Sequence, residues 1–176
     1  KKVIGVDVNQ DTVNTINAGK IHIVEPQLDE MVKKSVDGGF LKATTSPEAA
    51  DAFLIAVPTP FFPIAHKEEI PQPNLNYVKS AAISIAKVLK KGDLVILEST
   101  SPVGTTEKMI EWMAEIRSDL TFPNKHGELA DIKIAHCPER VLPGYVVTEL
   151  VNNDRVIGGI TEHCSKAAVE LYKIFV

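Results

Sequence analysis

Cysteine, basic runs and long apolar stretches are all scarce in this sequence, and each scarcity removes a class of protein. Only two cysteines, Cys137 and Cys164, occur among the 176 residues. They lie far apart, with neither CxxC spacing nor histidines arranged as companion ligands. That excludes a disulfide framework and a structural zinc site, leaves no metal to be expected, and reads both thiols as buried and reduced. No apolar run approaches the roughly 20 residues of a membrane helix, and Lys1-Lys2 leads straight into a short strand, not a signal-peptide core. A cytoplasmic protein making no membrane contact is the expectation. Basic runs interleaved with aromatics are missing too: 19 Lys and Arg face 23 Asp and Glu, for a net charge of -4. Nucleic acid and anionic membrane faces are therefore poor partners, and a small-molecule ligand fits better.

What is present suits one globular domain with its own core: 44% of residues are hydrophobic and 24% charged. Short apolar strands alternate with longer amphipathic stretches, the pattern of β-α-β units and a parallel sheet. Strands are predicted at Val3–Val8, Ala52–Val57, Leu94–Leu97, Lys133–Cys137 and Arg155–Ile157, with Leu41–Thr44 as a short sixth candidate. Apolar residues three and four apart mark helices: Val13 and Ile16 in the first, then Leu28, Met31, Val32 and Val36 in the second, which Gly38-Gly39 ends. Leu75–Leu89 carries Val78, Ala82, Ile85 and Leu89 on one stripe, with Asn74 as its N-cap and Gly92 past its end. Further helices are predicted over Thr105–Arg117 and Glu162–Phe175. Pro58–Pro73, with five prolines, and Ser118–Asp131 read as loops.

In an open parallel sheet, ligands bind beyond the carboxyl ends of the strands, so the residues that follow each strand carry the chemistry. Asp7 follows the first. A carboxylate there can accept from both adenosine ribose hydroxyls and repel an extra 2′-phosphate, which favours NAD over NADP; it reads equally well as part of a helix cap with Asn9. Val57-Pro58-Thr59-Pro60 ends another strand, where prolines withhold donors and Thr59 offers a hydroxyl; a plain turn is the alternative. Ser99-Thr100-Ser101 places three hydroxyls before a helix start, where exposed amides suit a phosphate or a polarised water. Glu139 and Arg140 share a fourth tip. The carboxylate suits a general base and the guanidinium a phosphate or carboxylate fork, against the plainer reading of a surface ion pair. Four such tips at one sheet edge favour a ligand site.

On these residues the sequence resembles the UDP-glucose/GDP-mannose dehydrogenase family, nearly end to end, and most closely its UDP-N-acetyl-D-mannosamine branch. The resemblance rests on Val3-Ile4-Gly5-Val6-Asp7-Val8-Asn9, Ile21-His22-Ile23-Val24-Glu25-Pro26, Ile55–Pro60, Leu97–Gly104, Cys137–Gly144 and Asp154–Gly159. It implies a doubly wound, Rossmann-like sheet and a two-step oxidation of a sugar C6 alcohol to a carboxylate, using two NAD and a cysteine-bound intermediate. By position, Asp7 would bind the ribose, and Val57, Pro58, Thr59, Ser99 and Thr100 would line the NAD crevice. Thr100 matches the threonine that holds a catalytic water. Glu139 matches the glutamate that helps hydrolyse the thioester, and Arg140, Val141 and Leu142 would border the nucleotide sugar. Arg140 and Pro143 favour the mannosamine branch, since enzymes acting on UDP-glucose show Phe and a second Glu there.

Departures from the family pattern shape further expectations. Thr12 stands where many relatives carry a cationic contact to the cofactor. The chain is expected to start inside the domain, without the first strand, glycine-rich turn and first helix, and to stop before the central helix and the nucleotide-sugar domain that holds the nucleophilic cysteine. Neither Cys137 nor Cys164 matches that cysteine. An isolated chain of this kind would leave Val3–Val8 with one neighbour and should be fragile, because unpaired buried backbone groups cost about 1 to 3 kcal/mol each. A homodimer or higher assembly is implied for the parent enzyme. Two alternatives stay open at this point: a sister enzyme for UDP-glucose or GDP-mannose, and a non-catalytic nucleotide-binding module.

Overall fold

The computed structural model describes residues 1–63 and 70–176. They divide into two compact units, one of Lys1–Glu48, Arg140–Asp154 and Val176, the other of Ala49–Glu139 and Arg155–Phe175.

In the first unit β1 (Val3–Val6) pairs in parallel with β2 (Leu41–Thr44), Val3 opposite Leu41 and Val6 opposite Thr44. Parallel strands need a long crossover, and α1 (Gln10–Asn17) and α2 (Leu28–Asp37) supply it. Asn9 caps α1, its side chain accepting the Asp11 N–H at 2.8 Å. Gly39 sits at φ 69°, a conformation that costs glycine nothing, and turns the chain from α2 into β2. The edge of β2 facing away from β1 is satisfied by a side chain. The Asn17 carboxamide donates to the Ala43 carbonyl at 2.9 Å and accepts the Ala43 N–H at 2.7 Å, standing in for a strand.

The second unit is built on β3 (Ala52–Ile55), β4 (Leu94–Leu97) and β5 (Lys133–His136), all parallel, with the short β6 (Gly158–Gly159) antiparallel to β5. Every residue of β4 is buried, and strand periodicity divides them between two layers. Val95 and Leu97 join Phe53, Ile55 and the apolar stripes of α3 (Asn76–Ala86) and α4 (Thr105–Ile116). Leu94 and Ile96 pack on the opposite face with Ala135, Cys137 and the Ala168 and Tyr172 side chains of α7 (Glu162–Tyr172). Helices thus cover both faces of the sheet, which is why its central strand reads as a continuous apolar run. Each fully buried aliphatic side chain contributes about 1.5 to 3 kcal/mol.

Several expectations need correction. The strands form two sheets, β1-β2 and β3-β4-β5-β6, and not one. The last strand lies at Gly158–Gly159, not Arg155–Ile157, and it runs antiparallel. The reason is local: a Cβ on Gly159 would meet the Ser165 backbone nitrogen and hydroxyl, so only glycine lets this segment lie against the start of α7. The N-cap of α3 is Leu75, although the Asn74 side chain still accepts the Asn76 N–H at 3.0 Å. Ser118–Asp131 contains α5 (Pro123–His126) and a 3-10 turn over Gly127–Leu129. The two ends of that segment are clasped by Asp131, whose carboxylate accepts the Thr121 N–H at 2.9 Å and the Thr121 hydroxyl at 2.8 Å. One helix, α6 (Val146–Asn152), went unforeseen. Part of the predicted Pro58–Pro73 loop, 64–69, lies outside the described residues; its flanks are fastened by Phe62 N–H to the Gln72 carbonyl at 2.8 Å and Asn74 N–H to the Pro60 carbonyl at 2.7 Å.

Candidate functional site

The carboxyl ends of β3, β4 and β5 lie side by side, and hydroxyl groups tie them together. Ser99, buried just past β4, accepts the Val57 N–H at 2.8 Å and donates to the Val57 carbonyl at 2.7 Å. Its hydroxyl is therefore spent on the turn after β3. Thr59 in turn donates to the Thr100 carbonyl at 2.6 Å, so the two turns grip each other from both directions. From the third strand, Cys137 N–H reaches the Leu97 carbonyl at 3.0 Å and Glu139 N–H the Glu98 carbonyl at 3.1 Å. These bonds bring Val57, Pro58, Thr59, Ser99, Thr100 and Glu139 to one rim. Thr100 is exposed there and Glu139 half-buried. The helix start beyond Thr100 is capped by Gly104 without a side-chain bond, and Thr105 turns its hydroxyl back onto the Pro102 carbonyl at 2.7 Å.

Behind this rim stands a residue that sequence reasoning left out. Tyr172 donates its phenol to Glu98 Oε1 at 2.5 Å. Burial, foremost, and then the bonds to Glu98 and Cys137 hold that phenol protonated far above its ordinary range. Its place on an apolar helix stripe disguised it as plain core. Cys137 and Cys164 are both free and buried. Cys164 Sγ accepts the Ile134 N–H at 3.3 Å, a structural use of the thiol.

In the first unit, Asp7 sits half-buried at the tip of β1. Its Oδ1 accepts the Asn9 N–H at 2.8 Å, so it shapes the turn into α1, and Asn9 is the cap. One oxygen thus serves the turn, and among the described residues the other has no hydrogen-bond partner. Arg140 donates from Nη2 to the Asp154 carbonyl at 2.8 Å, and Leu142 N–H to the Glu149 carboxylate on α6 at 2.8 Å. Val141, between them, is half-buried. Gly144, at φ 87°, donates to both oxygens of Glu25 at 2.8 and 3.0 Å. The segment with Arg140, Val141 and Leu142 is thereby held by α6 on one side and by Glu25 on the other. Glu25 belongs to the Ile21–Pro26 motif, so the sequence had marked it without disclosing its task. Among the described residues, no group of three His, Cys, Asp or Glu side chains could hold a metal ion, and no helix is long and apolar enough to cross a membrane.

A parallel sheet walled by helices on both faces, with hydroxyls and a carboxylate at its carboxyl edge, places the second unit in the α/β class that receives nucleotides at that edge. The chain belongs to the UDP-glucose/GDP-mannose dehydrogenase family, whose NAD binding domain matches residues 1–176. It is 66% identical over 175 residues to the UDP-N-acetyl-D-mannosamine dehydrogenase of Campylobacter jejuni, covering 99% of this chain and 42% of that protein. It is 60% identical over 176 residues to the NDP-N-acetyl-D-galactosaminuronic acid dehydrogenase of Ralstonia nicotianae, covering 100% of this chain and 40% of that protein. Among solved structures, the UDP-N-acetyl-mannosamine dehydrogenase of Staphylococcus aureus superposes with a TM-score of 0.87 at 39% identity, over 99% of this chain and 39% of that one. The chain thus spans well under half the length of these relatives. NAD is the cofactor of this family's domain, and the chemistry present fits it: the second oxygen of Asp7 is an acceptor of the kind a ribose hydroxyl requires.

Proposed function

We propose that the chain is the NAD-binding part of an enzyme that oxidises the C6 alcohol of UDP-N-acetyl-D-mannosamine to the carboxylate, with two NAD consumed per sugar. The observation that carries the reading is the rim of the second unit, where Thr100 and Glu139 stand on adjacent strand tips, the first held at its carbonyl by the Thr59 hydroxyl and the second at its N–H by the Glu98 carbonyl. The cofactor, when bound, accepts the hydride. Asp7 would take the adenosine ribose, while Val57, Pro58 and Thr59, locked by Ser99, would form the wall of the crevice. Thr100 would hold a water near the reacting carbon and Glu139 would draw its proton, a task for which a half-buried carboxylate is suited. Arg140, Val141 and Leu142 would border the nucleotide sugar, the guanidinium pairing with phosphate. The choice of a 2-acetamido sugar is supported by the named activities of the relatives, and the mannosamine form by the 66% identical one.

The test is turnover of the full-length protein with NAD and each of four substrates: UDP-N-acetylmannosamine, UDP-N-acetylgalactosamine, UDP-glucose and GDP-mannose. Two NADH per UDP-N-acetylmannosamine, with the other three much slower, is the expected result. A preference for any of the others corrects the substrate. No turnover at all, with NAD still bound, would favour a non-catalytic nucleotide-binding module. Asp7→Asn should weaken NAD binding by roughly tenfold, the loss of about one charge-assisted hydrogen bond.

A further inference from the structure

Tyr172 is placed to do more than fill space. It is 2% exposed, and its ring is held from several directions: Leu94, Ile96, Ala135 and Cys137 belong to the same buried cluster, the Phe175 ring lies 5.4 Å away and the Arg155 guanidinium 4.9 Å over its face. A phenol fixed this way is a rigid donor, and its target is Glu98. Glu98 is the first residue past β4 and a junction of the rim. Its N–H donates to the Ile55 carbonyl at 2.9 Å and its carbonyl accepts from Glu139 at 3.1 Å. The next residue is Ser99, which locks Val57, and Thr100 follows.

We propose that Tyr172 is a positioning residue: by tethering the Glu98 carboxylate from behind the sheet, it fixes the strand tip that carries Thr100 and, through the Glu98 carbonyl, the neighbouring tip that carries Glu139. The inference rests on the reading in which those two residues act on the sugar. A satisfied buried phenol alone would need only some acceptor. Here the acceptor is a carboxylate, which gives a bond roughly twice as strong as a neutral one, and it lies on a residue whose backbone links all three strand tips. Displacing a positioned group by about 1 Å can cost around a hundredfold in rate. The tether therefore has leverage on catalysis out of proportion to its share of stability.

The experiment uses the full-length enzyme and three variants. Tyr172→Phe keeps the ring and its neighbours but removes the donor, Glu98→Ala removes the acceptor, and Glu98→Gln keeps an acceptor oxygen. With UDP-N-acetylmannosamine we expect Tyr172→Phe and Glu98→Ala each to lower kcat by tenfold or more. KM for NAD should stay within threefold of the parent's, and the double variant should be no slower than the slower single one. Glu98→Gln should recover to within threefold of the parent kcat. Loss of melting temperature with kcat, measured well below melting, within fivefold of the parent would overturn the proposal by showing a structural role alone. Multiplicative losses in the double variant would overturn it as well. Should Tyr172→Phe fail to fold, the comparison of Glu98→Ala with Glu98→Gln decides, since that side chain is only half-buried. If the unsubstituted enzyme oxidises none of the nucleotide sugars, the functional reading fails first, and that outcome is distinct from an active enzyme indifferent to Tyr172.

Discussion

Replacing Ser99 with alanine removes one oxygen from a buried position and should loosen the whole second unit. The hydroxyl also lies 3.2 Å from the Ile55 carbonyl, but that carbonyl already receives the Glu98 and Ser99 N–H groups at 2.9 and 3.1 Å. The groups left stranded are the Val57 N–H and carbonyl. A fully buried polar group without a partner costs about 1 to 3 kcal/mol; because Val57 is half-buried and water reaches it in part, the pair together should cost about 2 kcal/mol. Trp112, the only tryptophan, lies on α4 in this unit, so its fluorescence reports the relevant transition in a urea titration. With a slope of roughly 2 kcal/mol per M, the midpoint should fall by about 1 M without a change of slope. A fall smaller than about 0.25 M, equivalent to roughly 0.5 kcal/mol on that slope, would mean that the turn after β3 stands without its lock. The account of the rim would then be wrong.

Other consequences can be checked as directly. Asp131 is held at a pKa of about 2, first by the Thr121 N–H and hydroxyl and then by Lys91. A carboxylate depressed on folding stabilises above the ordinary carboxylate range and loses that contribution as pH falls through the folded value. Melting temperature should therefore drop between about pH 4 and pH 2, and Asp131→Asn should flatten that part of the curve. Gly159→Ala forces a methyl against the Ser165 backbone and should cost about 1 to 3 kcal/mol, read as a lower urea midpoint. Glu25→Ala frees the Gly144 N–H; KM for the nucleotide sugar should rise by roughly fivefold, short of the tenfold worth of a full charged hydrogen bond because the site is exposed, with KM for NAD unchanged.

The sequence disclosed whatever depends on local pattern. The span of β4 was legible to the residue because four successive apolar side chains can be buried only where both faces of a sheet are covered, and the helix expected over Thr105–Arg117 is found at Thr105–Ile116. The strand tips were legible for a related reason: polar residues that interrupt such a run have few other places to go. What stayed hidden depends on partners far away in the chain. Tyr172 meets Glu98 across 74 positions and Glu25 meets Gly144 across 119, and neither pairing leaves a trace in spacing. Asn17 is the last residue of α1, and nothing near it in the sequence announces that its carboxamide pairs with the edge of β2 at Ala43. The short α6 was missed because seven residues hold too few turns for a convincing stripe. Gly158–Gly159 was missed because a glycine pair reads as a turn, whereas here the absence of side chains is what admits the strand.

The proline-rich segment after β3 is buttoned at its base, where Phe62 meets Gln72 and Asn74 meets Pro60. Those two bonds anchor Pro60 and Phe62, one and three residues past Thr59, to partners ten and more positions further along the chain. The Thr59 turn is therefore braced twice, by its grip on the Thr100 carbonyl and by this clasp beyond it. A substitution that breaks one brace leaves the other in place, so the edge of the sheet should yield by degrees and not all at once.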